Sequence, residues 1–116
     1  MKLLIIGSRT ITDFDLTGHI PADTELIISG GAKGMDTVAE KYADENGIEK
    51  LIFYPKYELY GRAAPLKRNE EMVNVCDTVL AVWDGESRGT KYTLNYAKKK
   101  NKKIIEIIVS GEKTNG

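Results

Sequence analysis

The stretch Leu26-Ile27-Ile28-Ser29-Gly30-Gly31-Ala32-Lys33-Gly34-Met35-Asp36 decides the fold. A short apolar run stops at a serine and two glycines, and a helical pattern begins almost at once. Met35, Val38, Ala39, Tyr42 and Ala43 follow the i, i+3, i+4, i+7, i+8 spacing of one buried helix stripe. Asn46-Gly47 then reads as a helix stop. Strand, glycine-rich turn and helix in succession form the repeating unit of an α/β domain.

Outward from that unit the same grammar returns. Other short apolar runs lie at Lys2 to Ile6, Leu51 to Tyr54, Thr78 to Trp83 and Ile104 to Val109. Their apolarity is continuous rather than alternating, which suits strands of a parallel sheet buried on both faces. Two further helical stripes are Asn69, Met72, Val73, Cys76 and Thr90, Thr93, Leu94, Ala97. Thr12 to Ile20 reads as a shorter, weaker helix. The predicted order is βαβαβαβαβ, an α/β, Rossmann-like three-layer sandwich around a mostly parallel five-stranded sheet. Residues 1–109 are expected to form a single domain and 110–116 a flexible tail.

Composition narrows the function. The 116 residues carry 17 basic and 17 acidic side chains, so the formal net charge is zero. A protein that coats nucleic acid would show a basic excess. Charged residues at 29% and hydrophobic ones at 41% are a globular mix. No apolar run approaches the roughly 20 residues of a membrane span. Leu3 to Ile6 is too short for a signal-peptide core, and the single cysteine, Cys76, cannot close an internal disulfide. These features predict a cytoplasmic protein with no membrane partner. The run Lys98 to Lys103 reads as a solvated helix end, where cations meet the negative end of the helix dipole.

In an open parallel sheet, ligands bind beyond the carboxyl ends of the strands, where the strand order switches. Three such ends are rich in glycine and small polar residues. They are Gly7-Ser8-Arg9-Thr10, Ser29 to Asp36, and Trp83-Asp84-Gly85-Glu86-Ser87-Arg88-Gly89-Thr90. Glycines let backbone N–H groups approach a ligand, and helix N-termini attract anions. Arginine suits bidentate phosphate contact. Arg68 and Asn69 sit near the start of the helix carrying Met72. Their alternative role is a cationic helix start with an interior amide bonded to backbone. Together these loops predict a phosphorylated, nucleotide-like ligand. Neither the G-x-x-x-x-G-K-[ST] loop nor G-x-G-x-x-G is present, which disfavours a P-loop NTPase or a dinucleotide dehydrogenase.

Several residues have a structural reading beside the functional one. Asp36 at a helix start steadies the dipole. Trp83 either stacks on a base or packs in the core. Ser87 and Thr90 are natural helix caps. Tyr54, Tyr57 and Tyr60 either roof the cleft or form a subunit contact. Cys76 reads as an inert core thiol, and His19 has no metal partner.

Gly7-Ser8-Arg9, Gly30-Gly31-Ala32-Lys33-Gly34-Met35-Asp36, Ala64-Pro65-Leu66-Lys67-Arg68-Asn69 with Met72, and Trp83 to Thr90 together resemble the SLOG superfamily. The likeness is to its small YspA-like branch and covers nearly the whole chain. It implies a Rossmannoid domain that recognises nucleotides or nucleotide derivatives, as a sensor or an enzyme. More distant relatives are the LOG-type phosphoribohydrolases and DNA-processing protein A. The implied ligand-binding residues are Gly7, Ser8, Arg9, Gly30, Gly31, Gly34, Asp36, Arg68, Asn69, Trp83, Gly85, Ser87, Gly89 and Thr90. No metal or cofactor is implied.

The phosphoribohydrolases resemble P-G-G-x-G-T-x-x-E, whose last glutamate assists cleavage of an N-glycosidic bond. Here that position is Thr93, which cannot act as a carboxylate does. Binding is therefore expected over catalysis. The alternatives are a nucleotide N-glycosidase, with Glu86 or Asp36 supplying the acid, and a single-stranded DNA-binding module. The balanced charge argues against the second of these. The two sheet edges leave room for a homodimer. A domain of this size would pass any signal through a partner protein.

Overall fold

The computed structural model describes residues 1–109; the tail anticipated at 110–116 lies outside the described residues. Five strands make one sheet in the order β3-β2-β1-β4-β5, with every neighbouring pair parallel. The strands are β1 (Lys2–Gly7), β2 (Leu26–Ser29), β3 (Glu49–Ile52), β4 (Thr78–Trp83) and β5 (Lys103–Ile108). The helices are α1 (Met35–Glu45), α2 (Tyr57–Tyr60), α3 (Ala64–Val75) and α4 (Arg88–Lys99), with a 3-10 turn at Gly61–Ala63 before α3.

The central strands are apolar on both faces because both faces are covered. Leu4, Ile6, Ile28, Val79, Ala81 and Trp83 pack under α3 and α4 with Met72, Val73, Cys76, Leu94 and Ala97. Leu3, Ile5, Ile27, Leu80 and Val82 face the other way, onto Met35, Ala39 and Ala43 of α1. Three layers result, as expected. The α4 stripe Thr90, Thr93, Leu94 and Ala97 is the buried set of that helix. Cys76 is a core thiol, and burial pushes it up to about 11, far from the thiolate that reactivity requires.

Two predicted elements differ. No helix forms over 12–20; that segment is loop and turn. The Asp15 carboxylate accepts the Thr17 N–H at 2.9 Å, a local bond that competes with helical pairing. Gly18 then takes a left-handed φ of 84°. What survives of the predicted stripe is one anchor, Leu16, only 2% exposed in the core beside α1. The observed order is therefore β-loop-β followed by βα units.

The third strand runs Glu49–Ile52 rather than Leu51 to Tyr54. It pairs with β2 on one side only, so Glu49 and Lys50 can stay in water while their backbones bond Leu26 and Ile27. Apolar pattern located the apolar end of this edge strand, where Ile52 is half-buried, and missed its charged start. Among the described residues no helix is long and apolar enough to cross a membrane.

Candidate functional site

The strand order switches between β1 and β4, which run parallel from Leu3 beside Thr78 to Gly7 beside Val82. Chain leaving β1 and chain leaving β4 diverge to opposite sides there and open a cleft. Its volume is about 540 Å³. Gly7 and Arg9 line it from the end of β1. Gly30 to Lys33 and Asp36 come from the β2–α1 turn, and Pro65, Leu66, Arg68, Asn69 and Met72 from α3. Ser87, Gly89, Thr90 and Thr93 come from α4. Three helices thus turn their N-terminal ends towards one space, where unsatisfied N–H groups and dipoles favour an anion.

Ten of the fourteen predicted site residues line this cleft: Gly7, Arg9, Gly30, Gly31, Asp36, Arg68, Asn69, Ser87, Gly89 and Thr90. The other four, Ser8, Gly34, Trp83 and Gly85, do not. Ser8 is buried; its hydroxyl accepts the Asp84 N–H at 3.0 Å and its carbonyl accepts the N–H groups of Ile11 and Met35. It ties the β1, β4 and α1 loops together. Gly34 is packed against the Arg9 backbone with a φ of 78°. The Trp83 indole lies in the α3–α4 core and donates to Glu106 of β5 at 2.8 Å, so core packing decides its place. Gly85 turns the β4–α4 loop with a φ of 83°.

Most cleft glycines answer to packing. A Cβ on Gly7 would overlap the Val82 carbonyl and the Met35 side chain. On Gly30 it would stand 2.7 Å from Arg68 Nη1 and 3.0 Å from Asp36 Oδ2, and on Gly31 it would meet the Tyr54 ring at 2.8 Å. Gly89 differs: it has helical backbone and nothing within 4 Å of its missing side chain.

The β4–α4 loop is held from within. One Asp84 oxygen accepts the N–H groups of Glu86 and Ser87 at 2.8 and 3.0 Å. Those bonds hold its carboxyl below the usual carboxylate range. The Ser87 hydroxyl caps α4 by accepting the Thr90 N–H and O–H. The Thr93 hydroxyl donates to the Gly89 carbonyl at 2.8 Å. The first-turn N–H groups of Arg88 and Gly89 have no backbone or side-chain acceptor among the described residues.

Arg68 is the unusual member. It is only 9% exposed, yet no carboxylate of the described residues comes within ion-pair distance. Its Nη1 donates to the Gly30 carbonyl and, at 3.3 Å, to that of Phe53; its Nε donates to Asn69 Oδ1 at 2.8 Å. These bonds brace α3 against the ends of β2 and β3. They leave Nη2 without a protein partner among the described residues. Burial pulls its pKa down and the nearby Asp36 charge opposes the pull. With Oδ1 taken, Asn69 presents its amide N–H₂ as the free group.

Asp36 is half-buried, and its carboxylate accepts the Ala32 N–H at 3.0 Å. Burial raises its pKa, against the opposing pull of that N–H and of Arg68. Beneath it, buried Ser29 donates to Glu40 Oε2 at 2.7 Å and steadies the turn by accepting the Gly31 N–H.

Sequence reading did not put Ile6, Ala32, Lys33, Pro55, Tyr57, Pro65, Leu66, Met72 or Thr93 among the ligand-binding residues, although each lines the cleft. Lys33 and Tyr57 carried a usable signal, since both lie in or beside loops already singled out. Of the three tyrosines, Tyr57 reaches the cleft wall, while Tyr54 covers Gly31 and is otherwise 64% exposed. Glu86 is exposed and outside the cleft lining. Among the described residues no group of three acidic, histidine or cysteine side chains could hold a metal ion.

No protein-family model matches the chain. It is similar to the fold of DNA processing protein A (DprA) from Streptococcus pneumoniae in its X-ray structure, with a TM-score of 0.70 and 19% identity. The likeness covers 97% of this chain and 52% of that one, so the chain spans about half of DprA. It is 52% identical over 68 residues to the uncharacterized SPbeta prophage-derived protein YoqJ of Bacillus subtilis (strain 168). That alignment takes in 58% of this chain and 40% of YoqJ. With the Gene 61 protein of Mycobacterium phage D29 it shares 30% identity over 125 aligned residues, 97% of this chain and 98% of the relative. A match of that extent places the chain in the same family as the phage D29 Gene 61 protein.

Proposed function

We propose that the cleft binds a nucleotide or nucleotide-derived phosphorylated ligand, as a cytoplasmic member of the SLOG type acting by recognition rather than cleavage. One observation carries the reading: a buried guanidinium with no carboxylate partner faces the cleft beside the open first turn of α4. The nearest carboxylate, Asp36, is not in ion-pair contact, so the buried charge is only partly compensated, and a phosphoryl group supplies a contact partner together with acceptors for Nη2 and the Arg88 and Gly89 N–H groups. Exposed Arg9 and Lys33 add charge at the rim. The DNA-processing role in DprA's name is that protein's own. The balance of 17 basic and 17 acidic side chains supports one small anion over a long one. Binding is favoured over cleavage because Thr93 holds the place of the phosphoribohydrolase glutamate and spends its hydroxyl on the Gly89 carbonyl.

Native mass spectrometry of protein purified from its own cells, followed by thermal shift with a nucleotide panel, tests the reading. A co-purifying nucleotide or a saturable upward shift is expected, with no free base released from nucleoside monophosphates. A clean apo mass with no shift across the panel would overturn it. Steady release of free base, lost in Asp36→Asn, would establish the hydrolase instead.

A further inference from the structure

The two edges of the sheet are not alike. β3 is four residues long and opens on exposed Glu49 and Lys50, a short charged edge of the kind that resists pairing. β5 is six residues long, four of them isoleucine, and Ile108 is 56% exposed. The Val109 N–H donates to the Trp83 carbonyl, so the odd-numbered residues of this strand turn their backbone groups to β4. The even-numbered Ile104, Glu106 and Ile108 turn theirs outward, where no described residue bonds them. A long apolar edge with its N–H and C=O groups open is a template for another strand.

The side chains narrow the choice of strand. Ile105, Ile107 and Val109 share the sheet face on the α1 side, and all three are only half-buried there. Ile104 and Glu106 take the opposite face, where Glu106 accepts the Trp83 indole N–H. Residues 110–116, Ser-Gly-Glu-Lys-Thr-Asn-Gly, bring no apolar side chain to the half-buried row. A second copy of β5, turned antiparallel about a two-fold axis, brings the same row back, because directly opposite residues then share a face.

Charge and apolarity choose the register. An axis through Glu106 sets the two Glu106 carboxylates opposite each other, which is unfavourable. An axis through Ile105 sets the Lys103 ammonium-bearing chain against Ile107 of the second copy. An axis through Ile107 sets Ile105 against Val109 of the second copy and the two Ile107 side chains together. The row Ile105, Ile107, Val109 is then aliphatic against aliphatic throughout. The same register sets Glu106 opposite Ile108 of the second copy. Both turn their backbone groups outward, so they exchange both hydrogen bonds, and exposed Ile108 is covered.

We infer that the β5 edge is the self-association surface of this protein: two copies pair β5 antiparallel about a two-fold axis at Ile107, joining two five-stranded sheets into one. The inference does not depend on what the cleft binds.

Sedimentation velocity on the full chain, with variants, tests it. At about 100 μM the native protein is expected to sediment at twice the 12.9 kDa chain mass and to dissociate on dilution. Ile108→Lys, at an exposed position, should weaken association by about tenfold or more and leave the melting temperature unchanged. Leu59→Ser, on the exposed face of α2, should leave association as it is. Disulfide trapping reads the register. In a pair that does not exchange hydrogen bonds the Cα atoms are about 4.5 Å apart, within disulfide reach. Ile107→Cys should therefore give a covalent dimer under mild oxidation. Ile105→Cys should not, nor should the native protein, whose Cys76 is 1% exposed. A native protein that stays monomeric at that concentration would overturn the inference. So would a dimer that survives Ile108→Lys, or trapping by Ile105→Cys in place of Ile107→Cys.

Discussion

Gly89 is the cleft glycine that the protein's own packing does not require. Gly7, Gly30 and Gly31 would each drive a Cβ into a neighbour, whereas a Cβ on Gly89 enters open space in a helical first turn. Gly89→Ala should therefore leave the melting temperature unchanged or raise it, since alanine favours helix over glycine by up to about 1 kcal/mol. Nucleotide affinity should fall at least tenfold, because the methyl group would occupy the ligand's approach. Gly34→Ala should do the reverse. With a φ of 78° and the Arg9 backbone against it, it should cost about 2 kcal/mol or more in urea titration. If both variants lost only stability, the first turn of α4 would have no ligand role. The pair also shows where sequence stops being informative. A glycine-rich loop looks the same in letters whether its glycines admit a phosphate or a neighbouring strand. Arg68 posed a similar ambiguity. Its helix position was legible, but its bonds to the Gly30 and Phe53 carbonyls join residues 38 and 15 positions away.

At the level of elements, α1, α3, α4 and the central strands were legible because each buries apolar residues in a pattern, whereas α2, which buries none, was not. Nor was segment 12–20. Its apolar residues mimic a helical face, but Leu16 alone reaches the core fully and Asp15 bonds its own backbone. Leu16→Ala is expected to cost about 2–5 kcal/mol, as for any fully buried leucine, measured by chemical denaturation. A value near zero would mean that the loop is a loose cover. The β4–α4 loop depends instead on Asp84. Its carboxyl titrates below its ordinary range because it accepts the Glu86 and Ser87 N–H groups. The ionised form therefore stabilises the folded loop at pH values above the ordinary carboxyl range. That contribution disappears as the pH falls through the lowered folded-state value. Asp84→Asn should flatten this part of the acid limb in melts followed from about pH 5 down to 3. Asp36 has the opposite sign: burial raises its pKa, so its protonated form is relatively favoured in the folded state and the advantage is lost as the pH rises through that value.

The whole molecule keeps its cations apart. Lys98 and Lys99 close α4, at the end of that helix away from the cleft, whereas Arg9, Lys33 and Arg68 stand at the cleft. A zero formal charge thus coexists with a locally positive cleft. Binding of single-stranded oligonucleotides should be weak at about 150 mM salt, and nucleotide binding should show a shallow salt slope, as a few phosphate contacts require. Tight oligonucleotide binding that collapses with salt would contradict the small-ligand reading. The sheet's order has a different consequence, felt during synthesis. β1 sits at the centre and pairs with β4, whose residues leave the ribosome more than seventy positions later. At roughly 5–20 residues per second, that leaves Leu3-Leu4-Ile5-Ile6 without one of its two partners for about 4–15 s. Translation speed and chaperone supply, rather than final stability, should then govern how much of this chain reaches its native sheet.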